Sequence, residues 1–283
     1  MIGISLATRA FVCGPYVGDP IALDRAIARL GEAEYDGIEL SGSPPHAALD
    51  RYPSADSRRR LARQLGDRNL AVSCYAPDFS GVSPIVEGNR SAYLELFRRV
   101  LDFCEDLNCP AVRVDTVAAR GTVPEREYLT AFDHLAGIWS EAAEMASRRR
   151  VRMVWEFESG FLFNRPGEIV ALHRKVGHPN FQILFDTCHA YMCGAAARVA
   201  GGVPEFLKRL EGRVGAVHLM DSDGTHRPFG DGFIDFNILT PQLLDIPDVR
   251  WWCVDLCFCP GAWDLIESSR DFVLDLLNTK VAA

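Results

Sequence analysis

Four acidic or imidazole side chains stand at the ends of four successive apolar segments in the second half of the sequence. They are Glu156, Asp186, His218 and Asp255, in the contexts VWE, LFD, VHL and CVD. A charged group in such a segment is costly to bury unless it is paired or bound to a metal, and four together would repel one another without a cation between them. Three carboxylates and one imidazole suit Mn²⁺, Mg²⁺, Co²⁺ or Zn²⁺. The pattern predicts a site for one divalent ion, with Mn²⁺ favoured over the other three.

Two of these residues also have an ordinary structural interpretation. An aspartate at the end of a strand often caps the following helix, and Asp186 is placed to do so. A histidine inside an apolar strand, such as His218, is commonly a hydrogen-bonded core residue. Because four such residues follow four successive apolar segments, a shared metal site is the better interpretation of the set.

The elements that must position these residues form a repeating pattern along the whole chain. Eight short apolar segments recur about 30 to 40 residues apart, the length of one strand and a returning helix. The predicted strands are Ile2–Leu6, Gly37–Leu40, Ala71–Tyr75, Ala111–Val114, Val151–Phe157, Phe181–Phe185, Val214–Leu219 and Trp251–Leu256. Helical periodicity predicts helices at Ile21–Glu34, Tyr93–Leu107, Glu127–Ala146, Pro204–Leu210 and Ser268–Leu277.

Eight alternating strands and helices predict an α/β fold of the (β/α)8 barrel (TIM barrel) type, as a single domain over residues 1–283. An open dinucleotide-binding sheet is disfavoured, because no glycine-rich loop follows the first strand. Barrel enzymes build their active sites at the carboxyl ends of the strands. The four candidate ligands should therefore meet at that end of the barrel.

Four segments together resemble the sugar phosphate isomerase/epimerase superfamily, the xylose isomerase-like TIM barrels. The resemblance covers nearly the whole chain and is sharpest over Val151–Phe258. The segments are VWEFES, LFDTCHAY, AVHLMDSDGTHRPFGDGFIDF and VDLCF. The resemblance implies that Glu156, Asp186, His218 and Asp255 bind the metal and that His189 contacts the substrate. It also implies that Glu156 is the general base or acid in proton transfer next to a carbonyl, through an enediolate.

One position departs from the pattern of that superfamily. Its ketose 3-epimerases generally carry glutamate on strand eight, where this chain has Asp255, one methylene shorter. The departure weakens a symmetric mechanism with two bases. A metal-dependent lyase or dehydratase acting on a keto-sugar, a keto-inositol or an oxidised glycoside is therefore an alternative to the isomerase or epimerase, because elimination needs only one base at carbon.

Three further polar residues are candidates for substrate binding. Arg227 lies in the glycine-containing loop after strand seven and could reach substrate oxygens, although an exposed loop arginine is an equal alternative. Arg113 ends strand four and could neutralise Glu156 or a ligand anion, or pair instead with its neighbour Asp115. Glu158 shares the parity of Glu156 and could bind a hydroxyl group.

Composition restricts the partners and the cellular setting. The net charge of −8 disfavours nucleic acid, and no apolar stretch approaches the length of a membrane span. An endonuclease IV-like phosphodiesterase is a minor alternative, and a non-catalytic sugar-binding barrel is another. The nine cysteines lack a disulfide pattern and no signal peptide is apparent, so we expect a reduced, cytoplasmic protein. The expected partner is a small sugar or polyol, and a homo-oligomer is among the open alternatives.

Overall fold

The computed structural model describes residues 1–278, and its central feature is a closed ring of eight parallel strands. The strands are β1 (Gly3–Ala7), β2 (Gly37–Ser41), β3 (Ala71–Ala76), β4 (Ala111–Val114), β5 (Arg152–Glu156), β6 (Phe181–Asp186), β7 (Val214–Leu219) and β8 (Trp251–Val254). They follow one another around the ring in chain order, and β1 closes the barrel by pairing with β8. The predicted (β/α)8 barrel is confirmed. The last five residues of the predicted domain lie outside the described part of the chain.

Nine α-helices surround the barrel within residues 1–278. They are α1 (Leu23–Glu32), α2 (Ala55–Gly66), α3 (Arg90–Asp106), α4 (Tyr128–Arg148), α5 (Pro166–Val176), α6 (Thr187–Ala196), α7 (Gly202–Arg209), α8 (Phe236–Leu244) and α9 (Ile266–Asn278). The connection from β6 to β7 holds two of them, α6 and α7, whereas the other connections hold one each. Within this part of the chain, no helix has the length and apolar character needed to cross a membrane.

Helices α2 and α5, whose bounds were not predicted from the sequence, have recognisable capping residues at their ends. Helix α2 begins with a capping box in which the Ser54 side chain accepts the backbone N–H of Ser57. Its apolar face is narrow, since only Leu61 and Leu65 are buried. Helix α5 begins with Pro166 and ends at Gly177, which has a left-handed conformation.

Side-chain parity places the polar end of the barrel directly above an apolar layer in its interior. Cys74, Val154 and Leu184 form a buried cluster separate from the main core, with Ala111 and Ala216 packed against it. Successive side chains of a strand point to opposite faces, so the residue two positions later also points inward. Advancing two positions from Val154, Leu184 and Ala216 gives Glu156, Asp186 and His218. The next inward layer of the barrel is therefore ionisable.

The neighbouring side chains on these strands point outward and fill the layer between sheet and helices. Trp155 packs against Trp139 of α4 and Phe181, with ring centroids 5.4 and 6.3 Å away. All nine cysteines are buried and free. Because β8 ends at Val254, Cys257 and Cys259 lie in the loop beyond it.

Candidate metal centre

The four predicted ligands meet at the carboxyl end of the barrel. Glu156, Asp186, His218 and Asp255 are all buried, and one ligand atom from each lies within 4.8 Å of the others. His218 Nδ1 is 3.1 Å from Glu156 Oε1, 3.4 Å from Asp255 Oδ2 and 4.0 Å from Asp186 Oδ2. The strand register produces this arrangement, because Asp186 and His218 are paired directly across β6 and β7. Three carboxylates and one imidazole thus surround a single point.

The orientation of His218 suits a metal ligand. Its Nε2 lies 2.9 Å from Glu39 Oε2, so the neutral ring donates Nε2–H to that carboxylate. Its Nδ1 then presents a lone pair to the three carboxylates, and this buried atom forms no hydrogen bond of acceptable geometry with any described residue. Glu156 Oε1 likewise forms no hydrogen bond of acceptable geometry, whereas Glu156 Oε2 contacts the Arg113 guanidinium. Lone pairs that face one point without a hydrogen bond are suited to binding a cation. A carboxylate that accepts a hydrogen bond from a metal-binding histidine is the usual arrangement in metal sites.

The acidic groups around His218 favour its protonated form when no cation is bound. Burial by itself would lower the pKa of His218, but the negative charge of Glu39 raises that pKa well above its ordinary value. A proton and a divalent cation are therefore alternative ways of compensating the surrounding carboxylates. Metal binding at this point would release a proton.

Asp186 caps α6 and also faces the buried group, so its geometry is compatible with both of the roles considered for it. Its Oδ1 accepts the backbone N–H of His189 at 2.6 Å and thereby caps α6, while Oδ2 is the oxygen nearer to His218. Burial raises the pKa of Asp186 to about 6. Capping and metal binding are compatible because the two functions use different oxygens of one carboxylate.

Arg113 lies between three carboxylates, so both of its predicted pairings are present. Its guanidinium contacts Glu156, and it lies 3.1 Å from Glu158 Oε1 and 3.2 Å from Asp115 Oδ2. Burial would raise the pKa of Glu156, but the positive charges of Arg113 and His218 lower it to about 2. Glu158 behaves differently, since burial and the charge of Asp115 raise its pKa to about 7.

His189 lies in the first turn of α6, beside the cluster. The Ser159 backbone N–H lies 3.4 Å from His189 Nδ1, and the Ser159 hydroxyl lies 3.3 Å from the same atom. Its ring meets that of His226 edge to face, with centroids 5.4 Å apart. Burial would lower the pKa of His189, but the charges of Asp186 and Glu156 raise it above its ordinary value.

Arg227 does not join the other predicted site residues in this structure. It lies in a short hairpin formed by Asp221–Ser222 and His226–Arg227. Its side chain is 48% exposed, and its Nε donates to Asp223 Oδ2 at 2.8 Å. The preceding residue, His226, is the one whose ring approaches His189.

The loop that follows this hairpin is fixed to the barrel by one buried carboxylate. Asp221 Oδ1 accepts the backbone N–H groups of Ser222 and Ile234, and Oδ2 accepts those of Gly230 and Gly232. A Cβ atom on Gly232 would overlap the Asp221 carboxylate, which explains a glycine at this position. The G-D-G-F-I segment is therefore a structural anchor beside the site.

Glu39 is a residue of the candidate site for which the sequence analysis predicts no role. Its apolar context, GIEL, shows that it ends a strand, but its partner His218 is 179 residues away in the chain. Glu39 and Cys253 also lie near the imidazole at the inner end of a cavity of about 420 Å³, which is also lined by residues at the amino ends of the strands. The back of the candidate metal centre thus adjoins a cavity on the opposite side from the carboxyl ends.

Comparison with known proteins agrees with this architecture. A family model described as xylose isomerase-like TIM barrel matches residues 25–255. Fructoselysine 3-epimerase from Escherichia coli O157:H7 is 23% identical over 251 residues, which cover 85% of this chain and 86% of that protein. Among solved structures, a D-tagatose 3-epimerase-like protein has a TM-score of 0.76 and 19% identity, covering 99% of this chain and 100% of that one.

A second similar solved structure is named for a different reaction, a dehydration. The "probable 3-DHS dehydratase AsbF" from Bacillus anthracis has a TM-score of 0.75 and 15% identity, covering 96% of this chain and 99% of that one. At these identities the similarity to solved structures is one of fold. The family match spans most of the sequence, and the barrel supplies the expected architecture. This chain belongs to the family of xylose isomerase-like TIM barrels.

Proposed function

We propose that this protein is a divalent-metal-dependent sugar isomerase or epimerase that transfers a proton at a carbon next to a carbonyl group, through an enediolate. The observation that carries the proposal is the buried group of Glu156, Asp186, His218 and Asp255, with His218 Nδ1 left without a hydrogen bond. The similarity to fructoselysine 3-epimerase supports the same reaction class. The expected substrate is a small keto-sugar or polyol.

The four residues of the buried group would hold one divalent ion, for which Mn²⁺ is favoured and Mg²⁺, Co²⁺ and Zn²⁺ are alternatives. When bound, such an ion supplies Lewis-acid stabilisation of the negative charge that develops on a substrate oxygen. Glu39 orients His218 for this role by accepting its Nε2–H. Arg113 fixes Glu156 and Glu158 relative to each other.

Glu156 is the proposed base at carbon. Its contact with Arg113 lowers its pKa and keeps it ionised, so it can accept a proton from the carbon next to the carbonyl. His189 is the proposed proton donor to a substrate oxygen. Because the Ser159 backbone N–H faces Nδ1, the neutral imidazole carries its own proton on Nε2 and can donate it.

Glu158 and Arg227, two of the predicted substrate-binding residues, differ in whether they face the site. Glu158 lies beside Arg113 at the site and could accept a hydrogen bond from a substrate hydroxyl group. Arg227 would reach the substrate only after its bond to Asp223 is broken. We therefore propose Glu158 as a direct contact and Arg227 as a contact that requires movement of the hairpin.

Asp255 favours a second candidate function, a lyase or dehydratase on a keto-sugar, keto-inositol or oxidised glycoside. An aspartate at this position reaches less far toward a substrate carbon than a glutamate, whereas elimination needs only the one base, Glu156. The fold similarity to the Bacillus anthracis protein named as a dehydratase supports keeping this alternative.

Products and isotope exchange separate the two reactions. The Mn²⁺-loaded protein is incubated with a panel of keto-sugars in D₂O and followed by NMR and mass spectrometry. Epimerisation places deuterium on carbon without loss of mass from the skeleton, whereas elimination releases water or an aglycone. Glu156→Gln should abolish either reaction, and Glu141→Gln, at an exposed surface pair with Arg90, should not. Full turnover in Glu156→Gln on the true substrate would overturn the assignment.

A further inference from the structure

Arg9 is a partly buried arginine at the carboxyl end of the barrel that has no acidic partner. It lies in the short helical turn Thr8–Phe11 directly after β1. Its guanidinium makes one long contact, from Nη1 to Ser43 Oγ at 3.5 Å, with the loop after β2. Across residues 1–278, no carboxylate oxygen lies within ion-pair distance of it. Arg113, at the same end of the barrel, has three such partners.

Arg9 lies at the end of the barrel that holds the candidate metal centre. It follows β1 directly, and its contact residue Ser43 lies just beyond β2. Strand β1 pairs with β8, and Leu6 is opposite Val254, the residue before Asp255 of the buried group. A ligand bound at that group would therefore have the Arg9 guanidinium at the rim of its site.

A buried cation without a counter-ion is costly, and proteins usually compensate it with an acidic group. The partly buried Arg58 follows this rule, since its Nε lies 2.6 Å from Asp106 Oδ2. Arg9 does not, although it lies near the candidate metal centre, where a ligand is expected. The missing negative charge is therefore one that a ligand could bring.

We propose that Arg9, assisted by Ser43, binds a carboxylate group of the substrate, so that the substrate is a keto acid of the sugar series. This inference rests on the proposed function for the position of the reacting carbon. A single planar guanidinium matches the two oxygens of a carboxylate. A phosphate fits less well, because it brings more negative charge toward Glu156, Asp186, Asp255 and Glu158, and the sequence supplies no glycine-rich phosphate loop.

Binding measurements with matched acids and neutral ketoses test this proposal. The probes are hydroxypyruvate against dihydroxyacetone and 5-keto-D-gluconate against L-sorbose, titrated calorimetrically into Mn²⁺-loaded protein. In at least one pair the wild type should bind the acid more tightly. Arg9→Gln should weaken that acid about 10- to 100-fold, the range for a lost hydrogen-bonded charge contact, and should leave the neutral partner unchanged. Arg25→Gln, an arginine over the Trp263 ring, is the matched control and should bind the acid normally.

Three results would overturn the proposal. One is equal or weaker binding of the acid in both pairs, and another is an unchanged acid affinity in Arg9→Gln. The third is that D-fructose 6-phosphate, and neither acid, gains affinity from Arg9, because the recognised group would then be a phosphate.

Mn²⁺ affinity, measured separately, distinguishes this proposal from the proposed function. Arg9→Gln should bind Mn²⁺ as the wild type does, since Arg9 is not among the ligands. If the wild type binds no divalent ion, the proposed function fails, and the same titrations without metal still decide whether Arg9 binds a carboxylate.

Discussion

The hydrogen bond between His218 and Glu39 offers a sharp test of the candidate metal centre. Both side chains are at most 2% exposed, and the Nε2–Oε2 distance is 2.9 Å. Glu39→Gln keeps an oxygen acceptor of the same size but removes the charge. Glu39→Ala removes the acceptor as well and leaves a buried N–H group without a partner. Comparison of the two variants separates the charge of Glu39 from its hydrogen bond.

The expected magnitudes follow from the position of Glu39 behind His218, one of the proposed metal ligands. Loss of such a partner typically weakens metal binding about 10- to 100-fold, which corresponds to roughly 1.4 to 2.7 kcal/mol. We expect Glu39→Gln near the lower end and Glu39→Ala near the upper end. Glu39→Ala should also lower the free energy of unfolding of the metal-free protein by about 1 to 3 kcal/mol, because His218 Nε2–H would be buried and unsatisfied.

The assay is calorimetric titration of metal-stripped protein with Mn²⁺, with the absorption spectrum of the Co²⁺-loaded protein as a second measure of ligand geometry. Ser73→Ala is a suitable control. Ser73 lines the same cavity on β3, and its buried hydroxyl group has no hydrogen-bond partner among the described residues. If folded Glu39→Ala bound Mn²⁺ within about twofold of the wild type and kept its Co²⁺ spectrum, the reasoning about His218 would be refuted.

Three further predictions concern the same end of the barrel. Asp186→Asn should abolish Mn²⁺ binding but retain the cap of α6, so Asp186→Ala should be about 1 kcal/mol less stable than Asp186→Asn in urea unfolding; equal stability would contradict the capping role. Asp221→Ala should lower the free energy of unfolding by about 3 kcal/mol, because four backbone N–H groups lose a charged acceptor. It should also make residues 222–235 susceptible to limited proteolysis. Chelation should lower Tm, since Mn²⁺ at 100 times its Kd adds about 2.7 kcal/mol to the free energy of unfolding; an unchanged Tm would argue against a bound ion.

The barrel and its ionisable layer were predictable because each depends on short stretches of sequence. The strands are compact apolar segments, and β4 and β7 have the predicted bounds. Each candidate ligand lies at or next to the end of such a segment, so the rule that barrel enzymes build their sites at the carboxyl ends of the strands brings the four side chains together. Helix α6 was harder to delimit, because its buried residues Thr187, Cys188, His189 and Ala190 are consecutive and show no helical period.

Features that join distant parts of the chain were not predictable in the same way. Glu39 ends a recognisable strand, but its pairing with His218 depends on ring closure. The proposal about Arg9 depends on the absence of an acidic partner among the described residues. No local sequence pattern reveals such an absence. Arg227 is the opposite case, because Asp223 four residues earlier is a local partner that could have been considered.

At the proposed metal centre, the two oxygens of Asp186 would link the size of a bound ion to the position of His189, a side chain that is not among the proposed ligands. One oxygen faces the cluster and the other holds the backbone N–H of His189 at 2.6 Å. Preferred oxygen distances are about 0.4 Å longer for Ca²⁺ than for Mg²⁺. A larger ion would press on the carboxylate, and a carboxylate is rigid, so the displacement would be passed to the first turn of α6. If His189 is the proton donor proposed above, the rate of its proton transfer should therefore depend on ionic radius even among ions that bind equally well.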